Sequence, residues 1–303
     1  MNKTSSTYRC LAGIAAFVAL VYAGDRLIGQ LIDRAVMATQ FRYSMLYNGD
    51  LPGQIVLLGN SRSLHMMHPP ALNEVTQGEV ISISFNALPT VLMPALWEDY
   101  LEHHQAPKKL LFEVSCANRE DEPGALERFT AYLAHSKRLR RIMAEQRPSE
   151  FYASEISHLY RFNGEFTMRS MLFRKRNDQD WIMQETASEE LIDRMLRIGV
   201  EETLYSDANV AAVAEVLAIA ERYDVQVELI IGPFHPEYLR ELTELQPWIA
   251  WFESQIGRQV KDYSGALTDP EAFADHLHLN PHGARMFADL LHEDGLLAID
   301  DVR

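Results

Sequence analysis

Cysteine is scarce in this chain: Cys10 and Cys116 are the only two among 303 residues. Cys10 falls in an apolar N-terminal stretch, so a bridge between the two is not expected, and the cysteine count says nothing about compartment. Positive charge is also in short supply. Lys and Arg total 28 against 43 Asp and Glu, a formal net charge of −15. Nucleic-acid binding needs clustered basic residues to neutralise phosphates, so this balance argues against that class. No internal repeat and no low-complexity linker divides the chain. A metal-ligand pattern is missing as well. His276, His278 and His282 are close in sequence, but Pro281 interrupts any helix through the last two, and no further Cys or carboxylate stands at ligand spacing. No metal and no cofactor are expected.

Long apolar runs are absent with one exception. From Cys10 to Gly24 the chain reads CLAGIAAFVALVYAG, with Lys3 and Arg9 before it and Asp25, Arg26 and Asp33 after it. These 15 residues span about 22 Å as a helix, at 1.5 Å per residue, against a bilayer core of about 30 Å. That length suits a signal-peptide apolar region, and Val21-Tyr22-Ala23 resembles a small-residue cleavage site. Apolar residues resume in LIGQLIDRAV, and Arg9 can snorkel toward headgroups. The expectation is an uncleaved signal anchor over 1–35, with its basic end cytoplasmic. A cleaved peptide and a soluble amphipathic helix are the alternatives. Either membrane reading puts the remainder outside the inner membrane, in the periplasm or extracytoplasmic space.

The remainder alternates. Candidate strands are Gln54–Leu58, Val80–Phe85, Lys109–Val114, Val225–Ile231 and Gln259–Tyr263, with helical patterns near 70–76, 91–105, 207–223, 236–254 and 281–292. Such alternation implies a parallel sheet covered by helices on both faces. Sites in such sheets lie beyond the carboxyl ends of the strands. Residues 120–205 break the rhythm and read as a helical insertion after the third strand. It carries two basic islands, SKRLRR (136–141) and MRSMLFRKR (168–176). Each is either a solvated helix face or a contact for anionic headgroups, a partner or an anionic polymer.

Two segments far apart in the chain carry candidate chemistry. The first strand runs into Gly59-Asn60-Ser61-Arg62-Ser63, and near the other end stands FADHLHLNPHG. A serine hydroxyl needs a base within hydrogen-bond reach and a third group to orient that base. Asp275 and His278, three apart before Asn280-Pro281, can supply both: the carboxylate fixes the imidazole tautomer and stabilises the imidazolium formed on proton transfer.

These two blocks together resemble the SGNH/GDSL hydrolase superfamily over about residues 50–292, with the insertion unmatched. The resemblance implies a flavodoxin-like α/β/α sandwich of about five parallel strands. It also implies Ser61 as nucleophile, His278 as base and Asp275 as its orienter. The family's oxyanion hole uses the serine N–H, a glycine N–H after the second strand and an asparagine after the third. Here the second block reads FNALP, without glycine, leaving a backbone N–H at Ala87 or Leu88 or the Asn86 amide; the third is Cys116-Ala117-Asn118-Arg119. Asn60 replaces the usual aspartate, a change felt by the turn more than by the triad. Arg62 either pairs with a carboxylate in the fold or meets an anionic substrate. His65, His68 and His235 are either structural or line the site.

The anchor, the LGNSR turn and the terminal Asp-x-x-His together look similar to a membrane-tethered branch of that superfamily. It includes the teichoic acid D-alanine transfer protein and alginate O-acetyltransferases. That likeness implies an acyltransferase or esterase acting on acyl groups of an envelope polysaccharide through an acyl-serine, beside a polytopic membrane O-acyltransferase. The alternative is a non-catalytic envelope binding or assembly protein that keeps the fold.

Overall fold

The computed structural model describes residues 3–76, 78–120 and 124–299; residues 1–2 of the expected anchor and 121–123 of the expected insertion lie outside it. In chain order, α1 (Lys3–Met37) and α2 (Arg42–Asn48) lead into β1 (Ile55–Leu58), α3 (Ser61–Met66), α4 (Pro69–Val75), β2 (Val80–Ser82), α5 (Met93–His103) and β3 (Lys109–Glu113). Then come α6 (Lys137–Gln146), α7 (Pro148–Ile156), α8 (Glu165–Leu172), α9 (Glu189–Ile198) and α10 (Asp207–Arg222). The chain closes with β4 (Gln226–Ile231), α11 (Pro236–Glu241), α12 (Leu245–Ile256), β5 (Lys261–Asp262) and α13 (Pro281–Glu293).

Two compact units form: 1–48 with 126–176, and 49–125 with 177–303. The second holds the sheet. Its order is β2-β1-β3-β4-β5, every neighbour parallel, the doubly wound order with its switch point at β1/β3. Helices cover both faces, making a three-layer α/β/α arrangement. Strand alternation sends Ile55, Leu57, Leu111 and Ile230 into one core beside Met66, Leu72, Phe287 and Leu291 of α3, α4 and α13. On the other face α10 packs against α5, α12 and β4. All four residues of β1 are fully buried, which explains why its sequence is a solid apolar run rather than an alternating one.

Beyond shifts of a residue or two at element ends, expected and observed elements differ at three places. The helix expected over 236–254 is two helices, because α11 ends at Glu241 and α12 starts at Leu245. The second strand stops at Ser82, although Ile83 N–H still reaches Leu57 O at 2.9 Å. The fifth is only two residues, both exposed.

The first unit is built around aromatic rings. Tyr43 lies 5.0 Å from Phe41, 4.9 Å from Phe129 and 5.2 Å from Phe166, while Phe41 stacks on Phe173 at 5.1 Å. Within α1, Tyr8–Met37 is long and apolar enough to cross a membrane.

The α13 N-terminus is fastened where it matters for the site. The Asn280 side chain accepts the His282 and Gly283 N–H groups at 3.0 and 3.1 Å and donates to Glu271 O at 2.7 Å. A Cβ on Gly283 would drive into the Ala272 carbonyl. Gly283→Ala therefore costs about 1–3 kcal/mol, read as a lower urea midpoint at unchanged slope; an unaltered midpoint would show that this contact yields freely.

Candidate active site

The turn after β1 is shaped by what cannot fit. Gly59 has φ +157, and a Cβ there would sit 2.6 Å from Ser63 Cβ and 3.1 Å from Glu113 Cβ. Only glycine lets β1 turn this close to the end of β3. Asn60 follows in extended backbone and caps α3, its side chain accepting the Arg62 N–H at 2.9 Å. Ser61 thus becomes the first residue of α3, where backbone N–H groups lack intrahelical partners.

The terminal block folds into a tight turn of its own. Ala274 N–H donates to His278 O at 2.8 Å, and Phe273 bridges Leu279. Inside that turn Asp275 Oδ1 accepts the N–H groups of Leu277 and His278 at 2.7 and 2.9 Å. Its other oxygen lies 2.8 Å from His278 Nδ1. The far nitrogen, Nε2, lies 2.9 Å from Ser61 Oγ. With Nδ1–H donated to the carboxylate, Nε2 holds the lone pair that the serine hydroxyl faces. The three residues that sequence reasoning paired across more than two hundred positions form one continuous hydrogen-bonded chain.

Burial alone would raise the Asp275 pKa. The hydrogen bond and charge of His278, with the Leu277 and His278 N–H groups, outweigh it and lower the pKa to about 2.

The oxyanion candidates follow three neighbouring strands. Ala87 comes after β2 and takes φ +49, a left-handed conformation that glycine adopts readily and alanine at a cost of about 1–3 kcal/mol. The loop thus keeps a glycine's backbone shape without the glycine. Leu88 N–H is already spent on Phe85 O at 3.2 Å, which leaves Ala87 N–H as the backbone candidate. Asn86 is exposed. Asn118 ends a short 3₁₀ turn, Ser115–Asn118, after β3. Its Oδ1 is buried without a hydrogen-bond partner among the described residues. Its backbone is fixed, since Asn118 O accepts Leu204 N–H at 2.7 Å and Asn209 Nδ2 donates to Ala117 O at 3.1 Å.

Of the two roles open to Arg62, pairing with a carboxylate or meeting an anionic substrate, the structure shows the first. Its side chain is 2% exposed and its guanidinium is occupied: 2.7 Å from Gly232 O, 3.2 Å from Pro233 O, 3.1 Å from Leu277 O and 3.5 Å from Glu113 Oε1. Its plane lies 3.5 Å over the Phe234 ring. Burial lowers its pKa to about 10 against the pull of Glu113, so it stays cationic at neutral pH. A group enclosed like this holds the fold and does not greet substrate.

The remaining histidines separate. His65 is buried, its ring 5.0 Å from that of His278 and 4.9 Å from Trp181. Met183 N–H donates to its Nδ1 at 3.3 Å. Its place against the base could not be seen from sequence, because Trp181 and Met183 belong to a stretch with no regular pattern. His235 caps α11 at 3.4 Å and packs on Phe273 at 5.3 Å; burial lowers its pKa. His276 packs on Tyr238 at 4.6 Å, and burial lowers its pKa too. His282 is exposed, 3.6 Å from Asp269. His68 is buried at the start of α4. Among the described residues no three His, Cys, Asp or Glu side chains stand close enough to hold a metal ion.

Two clefts adjoin the residues of the turn and the third strand's loop. One, of about 370 Å³, is lined by Met183, Thr186, Leu191, Met195, Asp275 and His276. The other, of about 610 Å³, is lined by Arg119, Glu201, Thr203 and Leu204 among others, with Arg119 and Glu201 paired at 2.9 Å.

No family model matches the chain, and no curated protein does. Among solved structures it is similar to a candidate acylhydrolase from Bacteroides fragilis, with 10% identity and a TM-score of 0.38 over 80% of this chain and 88% of that one.

A carboxylate with a lowered pKa contributes stability that is complete above its unfolded value of 3.8 and is lost as the pH falls toward about 2. Asp275 therefore supplies about 2 kcal/mol at neutral pH. Urea unfolding of Asp275→Asn should show that deficit at pH 7 and a gap from wild type that closes between about pH 4 and pH 2. A gap independent of pH would mean the carboxylate is not held this way.

Proposed function

We propose that this chain is a membrane-anchored serine acyltransferase or esterase of the cell envelope, working through an acyl-serine. The observation that carries the reading is the hydrogen-bonded chain Ser61 Oγ–His278 Nε2 at 2.9 Å and His278 Nδ1–Asp275 Oδ2 at 2.8 Å. Ser61 Oγ attacks an acyl carbonyl while His278 Nε2 takes its proton. Asp275 holds the imidazole in the required tautomer and stabilises the imidazolium. The tetrahedral oxyanion is met by the Ser61 and Ala87 N–H groups and the Asn118 amide. Collapse breaks the bond to the leaving alcohol or thiol, which takes the proton from His278 and departs, leaving the acyl group on Ser61. A second hydroxyl, from a sugar or from water, gives its proton to His278 and attacks the acyl-serine; collapse returns that proton to Ser61. The first step is common to transfer and hydrolysis; the acceptor distinguishes them.

The remaining assignments rest on sequence. Lys3 and Arg9 before the apolar run favour a cytoplasmic N-terminus, which puts the sheet unit outside the inner membrane. The likeness to envelope-polymer O-acyltransferases favours an O-acylated polysaccharide as substrate and a polytopic membrane O-acyltransferase as partner.

A fluorophosphonate probe should label the wild-type protein and leave Ser61→Ala unlabelled; a folded wild-type protein that stays unlabelled would sink the catalytic reading. Against an aryl acetate, Asn118→Ala should lower kcat about 10²–10³-fold with little change in KM, and an unchanged kcat would remove Asn118 from the oxyanion hole.

A further inference from the structure

Within the first unit, α1 is gripped at one level by the segment that follows α7. Asp25 accepts hydrogen bonds from Ser157 Oγ at 2.5 Å, His158 N–H at 2.8 Å and Leu159 N–H at 3.2 Å. The Arg26 guanidinium reaches the end of α7, donating to Glu155 O at 3.0 Å and Ile156 O at 3.3 Å. One turn along α1, a Cβ on Gly29 would lie 2.6 Å from His158 Cβ, so helix backbone and segment touch directly. Asp25 is the first charge after the uncharged run that ends at Gly24. The grip is therefore placed where α1 stops being purely apolar.

Beside this grip two large side chains face outward. Tyr152 and Ile156 are 64% and 75% exposed, and their spacing of four residues puts them on one face of α7. Leu27, Ile28 and Leu31 of α1 also stay exposed, at 61%, 48% and 55%, so apolar helix surface continues past Asp25. An aliphatic and a tyrosine at the border of an apolar helix surface match the membrane–water interface, where amphipathic rings collect. Helix α6, packed against α7, carries Lys137, Arg138 and Arg141, charge complementary to anionic headgroups, while Arg140 is paired with Glu155 at 2.7 Å.

We propose that α7 rests on the lipid–water boundary of the bilayer that α1 crosses, with Tyr152 and Ile156 contacting lipid. The proposal rests on the reading of α1 as a membrane anchor and adds a second contact to it. The occupant of this face is lipid, because the face is continuous with the anchor at the level of Asp25. A second exposed apolar pair, Met168 at 72% and Leu172 at 71% on α8, serves as the contrast. Phe173 O accepts Gln40 N–H at 2.9 Å, beyond the C-terminal end of α1, and about 18 Å of helix separates Asp25 from Met37. That pair stays in water.

The test uses the full chain reconstituted in phosphatidylethanolamine–phosphatidylglycerol vesicles. A Cys10→Ser background removes the exposed thiol; the other, Cys116, is buried. Nitroxide labels are attached to Phe17→Cys, Tyr152→Cys, Ile156→Cys and Met168→Cys, one at a time. Collisional relaxation is compared for dissolved oxygen and a water-soluble nickel chelate. The labels at 17, 152 and 156 should favour oxygen severalfold over the label at 168, which should favour nickel. If 152 and 156 match 168 while 17 reports lipid, the anchor stands and the proposed contact is wrong. Shielding of 152 and 156 from both reagents would mean a protein covers this face, and equally overturns it. If 17 also reports water, the anchor itself fails and takes the proposal with it.

Discussion

One buried cation organises the carboxyl edge of the sheet. Arg62 leaves the backbone next to Ser61, passes beneath the turn and ends among carbonyls and a carboxylate belonging to other segments. Gly232 and Pro233 follow β4, Glu113 closes β3, and Leu277 lies inside the Asp275–His278 turn. A guanidinium removed from water needs acceptors and opposite charge, and an uncompensated buried charge costs about 3–5 kcal/mol; here Nη1 and Nη2 reach carbonyls, while Nε has no hydrogen bond among the described residues and faces Glu113 at 3.5 Å. The matching groups are therefore held as firmly as the cation itself. Ser61 and His278 meet because the residue beside the first is bonded to a carbonyl beside the second.

This explains why the Gly59 turn, the Asn60 cap and the C-terminal turn read as one device although they form independently. Gly59 allows β1 to pass close to Glu113, Asn60 starts a helix at Ser61, and the Asx-like bonds of Asp275 close their own loop. None of these local features sets the distance from serine to imidazole. That distance comes from packing between α3, β3, β4 and the terminal turn.

Much of the sheet unit was legible in advance because parallel strands covered on both faces leave solid apolar runs. Gln54–Leu58, Lys109–Val114 and Val225–Ile231 differ from the observed strands by one residue each at one end. The serine and the Asp-x-x-His block were legible because their spacing makes chemical sense only together. Arg62 had two open roles in the sequence, and only the positions of Glu113, Gly232 and Phe234 show that it points inward. The break between α11 and α12 was signalled only by Pro247, which falls in the first turn of α12 and is tolerated there but not in the middle of one continuous helix. Residues 177–188 left no periodic signal, yet Gln179 bonds both the N–H and C=O of Ser82 at 2.7 and 2.9 Å, and Trp181 reaches the ring of His65.

The compactness of the C-terminal turn has a bearing on how this site tolerates motion. His278 and Asp275 sit on one short turn, 274–278, closed by the Ala274 N–H to His278 O bond and the Asp275 side-chain bonds. Thermal drift or strain displaces them together, leaving their mutual alignment intact. The constellation therefore has one joint at which it opens, the gap to the serine hydroxyl. That single gap can widen or narrow without disturbing the tautomer that Asp275 holds.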